Sequence, residues 1–172
     1  EVAQYHRGQA ALAKMEAEFD QSQLNEADQL SYRLFQANAE RSKQAFPFRH
    51  NSYIFDQMNG AQSQIPAFLI NIHRVASKAD AEAYVSRLAA AGPLIDTLVG
   101  QSAERANDGI IVPDWVFPYV IADAKNVISG APFDDGEDSP IYADLKKKVA
   151  ELDIPDGEKA DLVARGGAAL VN

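Results

Sequence analysis

The chain has 172 residues, 47% of them hydrophobic and 24% charged, which is the range of globular domains and outside that of disordered chains. Its formal charge is −9, from 25 acidic against 16 basic residues, and such a surface repels a phosphate backbone, so nucleic acid is excluded as an expected partner. Cysteine is absent, which rules out disulfides, thiolate nucleophiles and cysteine-ligated zinc, and no apolar run is long enough for a transmembrane segment.

The periodicity predicts helices throughout. Residues 2–19 are rich in Ala, Leu, Met, Lys, Glu and Gln, with Tyr5, Leu12, Met15 and Phe19 on one side. After a break at Asp20–Gln23, Asn25 offers an N-cap with Asp28 three residues on. The helix behind it is expected to run to Ala45 on an apolar stripe of Ala27, Leu30, Leu34 and Ala37, widened by Phe35, and to stop at Pro47. Residues 46–64 have no helical period, and Asn59-Gly60 is a turn signal, since both tolerate positive φ. Pro66 suits the first turn of a short helix, Ala67 to Ile72.

Ser77 caps a long helix, with Asp80 three residues later. Tyr84, Leu88, Ala91, Ile95, Leu98, Ser102 and Ala106 keep one face of it, and Gly92-Pro93 predicts a kink without splitting it. Pro113-Asp114 opens a helix over Trp115 to Ile128. An acidic turn, residues 130–138, separates it from two closing helices, Pro140 to Leu152 and Asp156 to about Val171. No alternating strand pattern and no internal repeat occurs. The expectation is an all-α array of six to seven helices and a single helical domain over residues 1–172. The chain begins at Glu1 without a Met, and its last helix reaches Asn172 without a stop signal, so it is expected to come from a longer chain, of which the resemblance given below implies that it is the N-terminal portion.

Few residues carry chemistry. His6, His50 and His73 lack the three-to-five-residue spacing of a metal motif, and Arg49 and Arg74 adjoin two of them, so no metal site is expected. His73 suits the end of a helix, where the dipole favours a cation. The acidic run from Phe133 to Asp138 lacks the ligand spacing of a calcium loop and reads as a solvated turn. Lys146-Lys147-Lys148 reads as the solvated face of a helix. Gly166-Gly167 inside a helical pattern marks close packing or fraying. Nothing resembles a nucleophile elbow or a phosphate-cradling loop.

What remains is the amide-rich loop of Asp56, Gln57, Asn59, Gln62 and Gln64. Its side chains either satisfy the loop's own backbone or line a cleft and bind a peptide-like substrate, for which Asp56, Gln57, Asn59 and Gln64 are the candidates. Trp115 and Tyr119, one turn apart, are either core anchors or cleft wall, and their apolar bulk favours the core.

At FDQMNGAQSQIPAFLIN the chain resembles a large bacterial family of uncharacterised proteins, many of them predicted lipoproteins or exported proteins. AEAYVSRLAAAGPLID, PDWVFPYVI and ADQLSYRLF fit the same order, so the resemblance covers the chain from about Asn25 onward. It implies an all-helical fold similar to gluzincin-type zinc peptidases, with a long cleft and a His-Glu, Pro-Gly-His-His motif in the C-terminal part of the family. On that basis this chain holds no catalytic residue and no cofactor of its own, zinc being expected in the full-length protein. It would be one wall of the cleft of a metal-dependent, peptidase-like hydrolase, periplasmic or anchored as a lipoprotein. Its expected partners are the C-terminal part of the same protein and a peptide-like substrate. The alternative is a non-catalytic helical binding or scaffold module of the envelope.

Overall fold

Helix α1 (Val2–Glu18) and helix α2 (Glu26–Ala45) open the computed structural model, in which residues 2–171 are described. Seven α-helices form among the described residues, no strand does, and the fold is all-α as the periodicity predicts. The chain divides into two units, Glu1–Ser52 and Tyr53–Asn172. No helix among the described residues is long and apolar enough to cross a membrane.

In the first unit the local signals act where expected. Asn25 Oδ1 accepts the Asp28 N–H at 2.9 Å and starts α2. Tyr5, Leu12 and Met15 are half-buried, whereas Phe19 is exposed. The predicted stripe of α2 is not the face that packs: Leu30, Leu34 and Phe35 are exposed, and Tyr32 is the buried residue. Gln29, Gln36 and Ala39 share the Tyr32 side. Amides make that face workable. Gln9 Nε2 donates to the Ala39 carbonyl at 3.1 Å, and Gln36 Nε2 donates to Glu16 Oε1 at 2.9 Å. Tyr5 stacks on Phe46 with ring centroids 3.9 Å apart.

The second unit comprises α3 (Ala61–Ala67), α4 (Lys78–Asn107), α5 (Phe117–Val127), α6 (Pro140–Ala150) and α7 (Asp156–Val171). Its core joins Leu69, Tyr84, Leu88, Leu145, Val149 and Leu162, with α4 and α6 each packed on α7. Ser77 caps α4 by accepting the Asp80 N–H at 3.3 Å, and α4 runs unbroken through Pro93. Only its first half enters the core: Ala81, Tyr84, Val85 and Leu88 are buried, while Ile95 and Leu98 are half-buried. Gly166 is a packing residue. A Cβ there would lie 2.1 Å from Leu145 Cδ2, so any larger residue would have to displace the buried Leu145 side chain to keep α7 this close to α6.

Candidate functional site

The amide-rich loop spends its main carboxylate on itself. Asp56 Oδ1 accepts the N–H groups of Met58 and Asn59, each at 2.6 Å. Buried Gln62 donates through Nε2 to the Asp56 carbonyl at 2.5 Å, and the Ala61 N–H reaches the Ile54 carbonyl at 2.9 Å. Gly60 is required here for close approach and not for positive φ. Its φ is −65°, and a Cβ would meet Asp56 N at 2.4 Å and Asp56 O at 2.7 Å. Gln57 and Asn59 are exposed and Asp56 is half-buried.

Helix α3 starts six residues earlier than the proline suggests, so Gln62, Ser63 and Gln64 are helical and Pro66 lies inside. An internal proline removes one backbone bond and crowds the carbonyl four residues back. The chain continues as a π-helical turn, Phe68–Ile72, closed by the His73 N–H on the Phe68 carbonyl at 2.9 Å.

Lys148 stabilises the end of that turn. Its Nζ donates to the carbonyls of Leu69 at 2.8 Å and Ile70 at 3.0 Å, and pairs with Asp144 Oδ2 at 2.8 Å. Lys148 is therefore largely buried and not part of a solvated face. Lys146 pairs with Asp138 at 2.7 Å and lies over the Tyr142 ring. Tyr84 donates its hydroxyl to Asp144 at 2.9 Å; burial, then this carboxylate, push its ionisation far above the ordinary range, so it remains a donor.

His73 ends the π-helical turn, as its place in the sequence predicts, but its surroundings disfavour the cation. Its ring is buried against Tyr84, with centroids 5.0 Å apart, and burial first, with Arg87 and Lys148 adding to it, lowers its pKa. The neutral ring fits its partners. Arg87 Nη1 lies 2.7 Å from Nδ1 and 3.3 Å from Nε2, and Nε2 lies 3.1 Å from the Asp80 carbonyl, an arrangement that suits the tautomer with its proton on Nε2.

Arg87 lies at the edge of an open groove of about 460 Å³. Ile65, Phe68 and Leu69 form one side and Ala90, Ala91 and Leu94 the other, with Gln64 and Arg87 as the polar groups. Of the four sequence candidates, Gln64 alone reaches this groove. Arg87 was missed, yet it carried a signal. Ala83, Ala90 and Ala91 occupy the positions four before, three after and four after it, so no carboxylate of its own helix can pair with it.

A groove of about 510 Å³ lies between α1 and α2 in the first unit. Its cation, Arg49, lies 4.5 Å over the Phe46 ring and donates through Nη1 to the Phe46 carbonyl at 3.2 Å, while its buried Nε has no partner. Trp115 and Tyr119 are not core anchors. They are 60% and 59% exposed, edge to face at 6.4 Å, while Val116 between them is buried. The acidic turn is organised from within, Asp134 accepting the N–H groups of Gly136 at 2.7 Å and Gly130 at 3.0 Å. These backbone bonds hold the Asp134 pKa below the usual carboxylate range. Among the described residues no three His, Asp or Glu side chains converge as metal ligands.

A family model described as bacterial protein of unknown function (DUF885) matches residues 1–172. No curated protein and no solved structure matches the chain.

Proposed function

The chain belongs to the DUF885 family of bacterial proteins, and on that premise we propose that it forms one wall of the substrate cleft of a metal-dependent, peptidase-like hydrolase of the cell envelope. The metal and the groups that activate water come from outside residues 1–172. The groove beside α4 is the observation that carries this reading. Its volume of about 460 Å³ falls within the roughly 300–1,000 Å³ of small-ligand sites. An apolar floor with one amide and one guanidinium suits a peptide: the floor takes a side chain, and Gln64 can both donate to and accept from a peptide unit.

The test uses the full-length protein. Peptide mixtures are incubated with it and the products read by mass spectrometry, before and after chelation and zinc return. Cleavage that depends on metal, with KM raised by Gln64→Ala and by Leu94→Asp, is the expected result. No cleavage by the metal-loaded protein, or KM unchanged in both variants, rejects the reading.

The exposed pair Trp115 and Tyr119, with Ile121 and Ile128 also exposed nearby, favours a second reading: a non-catalytic module that docks an envelope partner through α5 and the residues flanking it. On that reading Trp115→Ala weakens assembly, and no peptide is turned over.

A further inference from the structure

We propose that Arg87 captures a free carboxylate at the mouth of the groove, so that the wall recognises the C-terminal end of a peptide with an apolar last residue. This rests on the groove being a substrate wall, as proposed above, and adds which part of the substrate it holds.

Arg87 is a cation without an anion. Among the described residues it makes no ion pair, whereas Lys148 pairs with Asp144 and Arg165 with Asp161, each four residues earlier in the same helix. In a chain of net charge −9 with 25 acidic residues, a guanidinium whose neighbours three and four residues away on its own helix are Ala83, Tyr84, Ala90 and Ala91 has no carboxylate one turn away.

The guanidinium is also oriented. His73 takes one N–H at 2.7 Å, and the Phe68 ring lies under the guanidinium carbon at 5.8 Å. His73 can accept only while neutral, and its burial, with the charges of Arg87 and Lys148 beside it, favours that form against the opposing pull of the Asp80 carbonyl. One donor is thus used to fix the plane of the fork, and the remaining donors stay available for a bidentate carboxylate.

The surroundings select among anions. Apolar walls lower the local dielectric and strengthen a charge-assisted bond. They also call for an apolar group next to the charge. A C-terminal residue carries its carboxylate and its side chain on the same Cα, which places both within this groove at once. An Asp or Glu side chain brings no apolar group to the floor, and a polyanion meets the field of an acidic chain.

The probes are N-acetyl-leucine and N-acetyl-leucinamide, titrated by calorimetry into the full-length protein and its Arg87→Gln, Arg87→Lys and Leu94→Asp variants. The acid is expected to bind roughly tenfold or more tightly than the amide, the scale of one charge-assisted bond. Arg87→Gln abolishes that preference with an unchanged melting temperature, Arg87→Lys keeps part of it, and Leu94→Asp, which leaves Arg87 in place, repels the acid. Equal binding of the two probes, a preference that survives Arg87→Gln, or no binding of either overturns the proposal. A parallel arm compares peptides ending in leucine acid and leucine amide. Cleavage of both with equal KM, raised alike by Leu94→Asp, keeps the wall and rejects carboxylate capture. Acid-selective binding of N-acetyl-leucine with no peptide cleaved keeps capture and rejects the hydrolase.

Discussion

Lys148 Nζ lies 2.8 Å from Asp144 Oδ2, one turn away on α6, and the same ammonium holds the carbonyl oxygens that end the π-helical turn. The pair is 17% and 13% exposed, and Tyr84 adds a third group by donating to Asp144. One polar cluster therefore ties the segment that builds the groove to α4 and α6.

Removing one charge leaves the other buried. Lys148→Met is expected to cost about 3–5 kcal/mol, because Asp144 and two carbonyls lose their partner together. Tyr84→Phe removes one bond and costs about 1 kcal/mol. In urea denaturation, Lys148→Met combined with Asp144→Asn should cost less than the sum of the two singles by about 1 kcal/mol or more. Strict additivity would show that the pair does not act as a unit.

His73 gives a pH dependence with a definite sign. Its folded pKa lies below the unfolded value of 6.5, so the unfolded chain binds the extra proton first as pH falls. The stability it confers is fully present above about 6.5 and declines as pH drops toward the folded pKa. Melting temperatures from pH 7.5 downward should fall in the wild-type protein. In His73→Gln, whose amide can accept from Arg87 and donate to Asp80, the slope between pH 7.5 and the onset of carboxylate titration should flatten. Parallel slopes would remove His73 as the source.

The loop and the groove should separate in mutational data. Asp56→Ala removes the acceptor of two backbone N–H groups and is expected to lower stability by about 1–2 kcal/mol while leaving peptide KM unchanged. Gln64→Ala, exposed at the groove, should leave the unfolding free energy within about 0.5 kcal/mol of wild type and raise KM. The opposite pattern would return the site to the loop.

Helix positions were legible in the sequence because caps and apolar spacing act locally: Asn25, Ser77 and Pro140 start helices where their chemistry says they should. Which face packs was less legible. Leu30 and Leu34 are more apolar than Gln29 and Gln36, yet the amide face of α2 packs, because Gln36 donates to the Glu16 carboxylate of α1 and the Ala39 carbonyl of α2 accepts from Gln9 of α1. Of the candidate residues read from the sequence, Gln64 alone lines the groove. Residue type suggested amides, but Asp56 and Gln62 are consumed by their own backbone. Arg87 is identified by what its helix withholds, and only a three-dimensional neighbour, His73, shows how it is aimed.

Glycine shows the same dependence on partners and gives a paired test. Gly100 and Gly166 both lie in helices, where alanine is intrinsically favoured by about 0.5–1 kcal/mol. Around Gly100 nothing lies within 4 Å of a new Cβ, so Gly100→Ala should stabilise by about that amount. At Gly166 the new methyl would sit 2.1 Å from Leu145 Cδ2, in a core where Leu145 is fully buried and Val85 lies close on the other side. Overpacking of this kind costs about 1–3 kcal/mol, which outweighs the propensity gain, so Gly166→Ala should destabilise. Trimming the partner supplies the check: Gly166→Ala should be less costly in a Leu145→Val background than in the wild type, because the clashing branch is gone. A Gly166→Ala protein as stable as Gly100→Ala would mean that α6 and α7 are not held at this distance.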